Sequence, residues 1–329
     1  MKKFLIIQTA FIGDVVLATP LIEKLHRYFP GATIDFLLLK GHESLLAGHP
    51  KLHRVITFDK KNRKYSQLLG LLREIRAAQY DVVINVQRFF SSGALTAFSG
   101  ASQTIGFDKN PMSFLFTRAL PHHISATDSG IHEVHRNLSL IEALTDDSFE
   151  KPHLYPSPED YKRVARTEPY VCVAPASVWN TKQWPAERWI TLIKQIPGTY
   201  SICLLGAKGD ILLCEQIRDA IQDKQVDILA GQLSFLESAA LMQHATMNFV
   251  NDSAPLHFAS AVNAPVCAVY CSTVPAFGFG PLSDVSFVVE THHDLDCRPC
   301  GLHGKAACPK GHFRCSDIKV ETILAQVKL

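Results

Sequence analysis

Three junctions in the chain combine residue types at spacings that could carry chemistry. The first is Gly13-Asp14, which follows an apolar run directly and opens an amphipathic segment. A carboxylate at a strand-to-helix turn lies on the ligand side of an α/β sheet, and the helix N-terminus favours its ionised form. As a general base it would take its proton late, as an attacking hydroxyl becomes acidic; the plainer reading is an Asp helix cap. The second junction runs from Pro175 through Ser177, Thr181 and Lys182 to Trp189 and holds all three Trp of the chain. Lys182 offers a point charge for a phosphate group, with Ser177 and Thr181 as hydroxyl donors, unless lysine and aromatics merely pack the loop.

The third junction reads Asn251-Asp252-Ser253-Ala254-Pro255-Leu256-His257. Pro255 suits a first helical turn, and the N–H groups of a helix start make an anion site. Asp252 would repel a phosphate but could accept hydrogen bonds from sugar hydroxyls. The alternatives are an Asp or Ser cap and a core role for His257. A further turn, Gly206-Ala207-Lys208-Gly209-Asp210, is glycine-rich but matches neither G-x-G-x-x-G nor a P-loop.

Near the end of the chain, Cys297-x2-Cys300-x7-Cys308-x6-Cys315 sits with His303 and His312 in a Gly- and Pro-rich stretch. Four thiols so spaced admit a tetrahedral structural zinc site, although the spacing is not that of a zinc ribbon; free or redox-active thiols are the alternative. Cys172, Cys203, Cys214, Cys267 and Cys271 lie in apolar segments and read as small hydrophobes. The run Lys60-Lys61-Asn62-Arg63-Lys64 is a solvated charge run or a contact for an anionic membrane face.

The elements that must position these residues alternate. Phe4 to Gln8, Thr33 to Leu39, Arg54 to Phe58 and Asp81 to Gln87 read as buried strands. Between them, Ala18, Leu21, Ile22, Leu25 and Phe29 mark one helix face, and Tyr65 to Gln79 repeats the pattern. A proline-rich, charged stretch from Glu150 to Pro169 marks a boundary, giving domains 1–155 and 156–329. A second series follows it. Strands are expected at Val171 to Ala174, Ser201 to Leu205, Val226 to Leu229, Met247 to Asn251 and Val266 to Tyr270, with helices near Ala186 to Ile196, Leu212 to Gln222, Leu236 to Ala245 and Ser253 to Val262. The fold class is therefore α/β, with two doubly wound parallel-sheet domains.

Composition narrows the function classes. With 329 residues, 47% hydrophobic and 19% charged, the chain can build two large cores. A net charge of +2 excludes a dedicated nucleic-acid binder. No run reaches the roughly 18 apolar residues of a membrane span, and the apolar start reads as a first strand rather than a secretory signal. Nine Cys without an export signal point to reducing cytoplasm.

Taken together, the junctions resemble glycosyltransferase family nine, the bacterial lipopolysaccharide heptosyltransferases. The residues that carry the resemblance are Ile12-Gly13-Asp14-Val15 with Thr19-Pro20, His132-Glu133-Val134-His135-Arg136-Asn137-Leu138, Lys182-Gln183-Trp184-Pro185, Asn251-Asp252-Ser253 with His257, and the cysteine-rich segment. That segment is most similar to the family's second inner-core heptosyltransferase. The resemblance implies two Rossmann-like domains facing across a cleft (GT-B), an acceptor on the first and an ADP-heptose donor on the second. It also implies inversion at the anomeric centre without a catalytic metal. By position, Asp14 would be the base and Lys182 the charge on the leaving diphosphate, with Asp252, Ser253 and His257 in the donor site. Ser177, Asp210 and Leu233 fall where the family contacts donor phosphate, ribose and base. One departure is Ala254, where a Gly commonly follows Asp-Ser. A glycolipid acceptor implies peripheral contact with the inner membrane. Rival readings are another nucleotide-sugar donor, a sugar-nucleotide epimerase or hydrolase, and a catalytically silent nucleotide-sugar-binding protein.

Overall fold

The computed structural model describes residues 1–60, 64–126 and 130–327. The chain divides into two compact units, Met1–Ile124 with Glu133–Tyr155, and Ser125–His132 with Pro156–Leu329. The short piece Ser125–His132 thus groups with the second unit although the chain returns to the first after it.

In the first unit the strands are β1 (Lys3–Ile7), β2 (Thr33–Leu39), β3 (Arg54–Phe58), β4 (Val82–Asn85), β5 (Gln103–Phe107) and β6 (Arg118–Leu120). The helices are α1 (Ile12–Tyr28), α2 (Lys64–Ala78), α3 (Phe90–Ala97) and α4 (Glu133–Ser139). All pairs are parallel, in the order β3-β2-β1-β4-β5-β6. Phe4, Leu5, Ile6 and Ile7 of β1 are fully buried, as a central strand covered on both faces requires. The proline inside α1 is accommodated locally. Pro20 cannot donate to the Val16 carbonyl, and the Thr19 hydroxyl does so instead at 2.8 Å.

The second unit repeats the plan with helices α5 (Pro158–Val164), α6 (Ala186–Gln195), α7 (Ile211–Asp219), α8 (Phe235–His244), α9 (Ala254–Ala261) and α10 (Val320–Gln326). Its strands are β7 (Tyr170–Ala174), β8 (Ser201–Leu204), β9 (Val226–Ile228), β10 (Met247–Asn251), β11 (Val266–Tyr270) and β12 (Ser286–Glu290). They form a parallel sheet in the order β12-β11-β10-β7-β8-β9. Counted within its own unit, each sheet has the order 3-2-1-4-5-6, the doubly wound arrangement whose reversal falls between the first and fourth strands. The expected α/β fold of two Rossmann-like sheets is therefore present. The five cysteines read as hydrophobes are buried. Among the described residues no helix is long and apolar enough to cross a membrane.

Candidate functional site

The site in the second unit is assembled from loops at the carboxyl ends of neighbouring strands. β7 and β10 lie side by side with Ala174 opposite Val250, so the loops that follow them run together. Asn251, fully buried at the end of β10, ties them. Its Oδ1 accepts the Trp184 N–H at 3.0 Å and its Nδ2 donates to the Pro175 carbonyl at 2.7 Å. Within the β7 loop a 3-10 turn, Asn180–Lys182, aims Lys182 at the β10 loop, and its Nζ lies 2.6 Å from Asp252 Oδ2. The side chains are 14% and 7% exposed, so this is a buried ion pair and not a surface contact. The Thr273 hydroxyl, beyond β11, donates to the same oxygen at 2.6 Å.

Just past Asp252, Ser253 is the extended N-cap residue of α9, and Pro255 occupies the first turn. The Ser253 hydroxyl donates to the Asn251 carbonyl at 3.3 Å and makes no cap bond, so no side chain of its own N-cap covers the helix start. His257 is buried in the same helix. Burial drives its pKa down to about 3, partly opposed by Asp252, and its Nδ1 has no hydrogen-bond partner. It is a neutral imidazole at physiological pH.

The other expected donor residues also lie on loops after strands of this sheet. Ser177 follows β7 and is half-buried, its carbonyl accepting from Gln183 Nε2 at 2.6 Å. Asp210 follows β8, where Oδ2 accepts the Ala207 N–H at 2.7 Å and closes the turn; a Cβ on Gly206 would stand 2.9 Å from Asp210 Cβ. Leu233 is half-buried beside Ser234, which caps α8. Of these residues, Lys182 and Asp252 are the ones joined directly. The Trp cluster resolves toward packing. Trp184 and Trp189 are buried and meet edge to face with centroids 5.0 Å apart.

In the first unit Asp14 is half-buried, the third residue of α1; the N-cap is Phe11, so the cap reading of Asp14 does not hold. The preceding loop is held by Lys60, whose Nζ donates to the Thr9 carbonyl at 2.8 Å. Residues 61–63 of the basic run lie outside the described residues, and with them most of the membrane-face reading. The motif from His132 to Leu138 is largely architectural. Glu133 bonds His122 at 3.1 Å and Arg136 at 2.6 Å, and Asn137 donates to the Leu17 carbonyl at 2.9 Å, tying α4 to α1. Burial would raise the Glu133 carboxyl, but His122 and Arg136 outweigh it and hold it below the ordinary range.

The cysteine-rich segment gives a looser picture. Cys297 Sγ is 3.9 Å from His312 Nε2. The Cys308 thiol, raised by burial, is brought lower overall by N–H groups of Phe313, Lys310, Gly311 and His312. Among the described residues, the group of potential ligands with donor atoms within 4.8 Å of one another is His292, His293 and Asp317, which sequence reasoning missed; no trio of the four thiols meets that spacing. Asp317 there also pairs with Arg188 at 3.1 Å, and Arg314 is 3.4 Å from His293, so two guanidinium groups already supply the positive charge a cation would bring.

Two Rossmann-like sheets, one bearing a lysine–aspartate pair beside a helix start at its switch point, have the arrangement in which doubly wound α/β proteins bind ligands. The glycosyltransferase family 9 (heptosyltransferase) model matches residues 68–306, and the chain belongs to that family and is a glycosyltransferase. The match leaves out Asp14. Lipopolysaccharide heptosyltransferase 3 of Escherichia coli is 29% identical over 279 residues, 80% of this chain and 82% of its own. Among solved structures, E. coli ADP-heptose lps heptosyltransferase II superposes with a TM-score of 0.80 at 21% identity, covering 99% and 97% of the two chains. E. coli heptosyltransferase WaaC with ADP gives 0.73 at 21% identity over 87% and 92%.

Proposed function

We propose that the protein moves a heptose from ADP-heptose to a hydroxyl of the lipopolysaccharide inner core, with inversion and without a catalytic metal. The observation that carries this reading is the buried Lys182–Asp252 pair beside the start of α9. The Lys182 ammonium, balanced here by Asp252, would turn to the departing diphosphate as Asp252 accepts from sugar hydroxyls, and the helix dipole adds to its positive charge. The acceptor oxygen attacks the anomeric carbon, its proton passing to Asp14, while the bond to the diphosphate breaks on the opposite face and ADP leaves with the electron pair. Ser177, Asp210, Leu233, Ser253 and His257 would line the donor site, with Asp252 accepting from sugar hydroxyls. The names of the relatives support the heptose and lipopolysaccharide parts of the reading. A lipid acceptor places the enzyme at the inner face of the inner membrane, in peripheral contact.

Thermal unfolding with ADP-heptose, ADP, UDP and GDP tests the donor. A ligand at a hundred times its dissociation constant adds about 2.7 kcal/mol, enough to raise Tm by a few degrees. Stabilisation by the adenine ligands alone is expected. Preference for UDP or GDP would discard heptose as the donor and direct attention to Ala254. The zinc reading of Cys297, Cys300, Cys308 and Cys315 is separable. A tetrahedral site puts each sulphur about 2.3 Å from the metal, and here no three of these thiols have their sulphurs within 4.8 Å of one another. About one equivalent of zinc in protein purified without added metal would support it, and none would end it.

A further inference from the structure

The residues that flank the Lys182–Asp252 pair are held from behind by one stretch of the cysteine-rich segment. Thr181 is 3% exposed. Its N–H donates to the Lys305 carbonyl at 3.1 Å and its Oγ1 accepts the Lys305 N–H at 2.8 Å, a clasp made in both directions. The Ser272 hydroxyl donates to the same Oγ1 at 3.0 Å, and the Ser272 carbonyl accepts the Cys300 N–H at 2.8 Å. Gly304 makes the approach possible. Its φ is +75°, and a Cβ there would stand 2.9 Å from Lys182 Cγ and 3.0 Å from Thr181 Oγ1.

A second arm reaches Asp252. The Arg298 guanidinium donates to the Cys271 carbonyl at 2.7 Å and the Thr273 carbonyl at 2.7 Å, fixing the loop whose Thr273 hydroxyl bonds Asp252 Oδ2. One arm therefore bears on Lys182 and the other on its partner, and both converge on the same 2.6 Å contact.

We infer that the stretch from Arg298 to Lys305 is a positioning element for the Lys182–Asp252 pair, with Thr181, Gly304 and Arg298 as positioning residues for the transfer. The inference rests on the role proposed for Lys182. Displacements of about 1 Å in a charge that acts on a leaving group cost up to about a hundredfold in rate, so the clasp is worth more to turnover than to binding. A loop that merely packs would lose rate only in proportion to lost folded protein.

The test is turnover of ADP-heptose on lipopolysaccharide acceptor by the full chain carrying Thr181→Val or Thr181→Ser, each with and without Lys182→Ala, alongside Tm. Thr181→Val keeps the shape and removes the acceptor for Lys305 and Ser272. It is expected to lower kcat about tenfold or more with KM for donor little changed, while Thr181→Ser, which keeps the hydroxyl, stays within about threefold. In the Lys182→Ala background Thr181→Val should cost nothing further. Equal fractional losses in both backgrounds, or Thr181→Ser as impaired as Thr181→Val, would overturn the inference. Should Thr181→Val fail to fold, Arg298→Met carries the same cycle, since a methionine keeps the apolar stem but donates to neither the Cys271 nor the Thr273 carbonyl. Full turnover by Lys182→Ala alone would remove the role of Lys182, and this inference with it, through a result read independently of Thr181.

Discussion

The two units solve the same topological problem with different chemistry. Each has the strand order 3-2-1-4-5-6, and in each the fourth strand ends in an asparagine, Asn85 in the first and Asn251 in the second. In the first unit uncharged amides join the two loops at the switch point, and the Lys60 ammonium holds the first of them from the side at Thr9. Gln87 Nε2 donates to Gln8 Oε1, and the Gln87 N–H to Asn85 Oδ1 at 2.8 Å. In the second, an ion pair does so, Lys182 to Asp252, with Asn251 bridging the backbones. Backbone topology puts both junctions at the carboxyl ends of the strands, and the side chains there differ in chemistry. An amide-lined end with Asp14 nearby in sequence suits a neutral sugar hydroxyl that must lose a proton. A lysine held beside a helix start suits a diphosphate.

The largest expected effect breaks the charged junction. Lys182→Met leaves Asp252 buried without its counter-ion and should cost about 3–5 kcal/mol in stability by denaturant unfolding, most of it recovered by adding Asp252→Asn. Failure of the second change to restore stability would mean that the pair is not the source of the loss. Next comes the first unit's acid. Asp14→Asn should lower turnover at least about a hundredfold, typical of a lost general base, with ADP affinity unchanged; near-normal turnover would sink its assignment. The neutral junction should be more forgiving. Gln87→Leu removes one partner of a buried amide pair and is expected to cost about 1–3 kcal/mol, while Gln87→Leu with Gln8→Leu should cost less than the single change. A Gln87→Leu loss as large as that of Lys182→Met would erase the contrast between the units.

The smallest effect is a pH dependence, in which His257 of the second unit is joined by His42 of the first, also lowered by burial. His257 has a folded pKa of about 3 against an ordinary 6.5, so the unfolded chain binds more protons between these values. Its contribution to stability is present in full above about pH 6.5 and declines as pH falls toward about 3. Carboxylates such as Glu23, lowered to about 2 where His49, Lys51 and Tyr155 outweigh burial, enter only below about pH 4.5. In the window from pH 6.5 to 4.5, His257→Asn should therefore flatten the fall in Tm; an unchanged slope would show that His257 is not the group that titrates.

Much of this fold was legible in the sequence, for a physical reason. Central parallel strands are buried on both faces, so β1 and β7 read as unbroken apolar runs, and the expected strand Thr33 to Leu39 coincides with β2. One margin of each sheet was legible, since β3 and β9 match the strands expected there, but the other was not. β5 reads Gln-Thr-Ile-Gly-Phe, β6 has only three residues, and β12 begins and ends on polar side chains. The site divides similarly. Lys182 and Asp252 could each be picked out at a strand-to-helix junction, but their contact could not, because it depends on β7 and β10 being neighbours although two strands and three helices intervene in sequence. The tie through Asn251 and the clasp of Gly304 on Thr181 were invisible for the same reason, since neither has a local signature.

The central claim, that the second unit's ion pair handles the donor's diphosphate, is tested most directly by calorimetric titration of ADP and adenosine into the wild-type chain and Lys182→Met. Loss of a charge-assisted contact should weaken ADP about tenfold or more and leave adenosine unchanged. Equal weakening of both ligands, or of neither, would contradict the account.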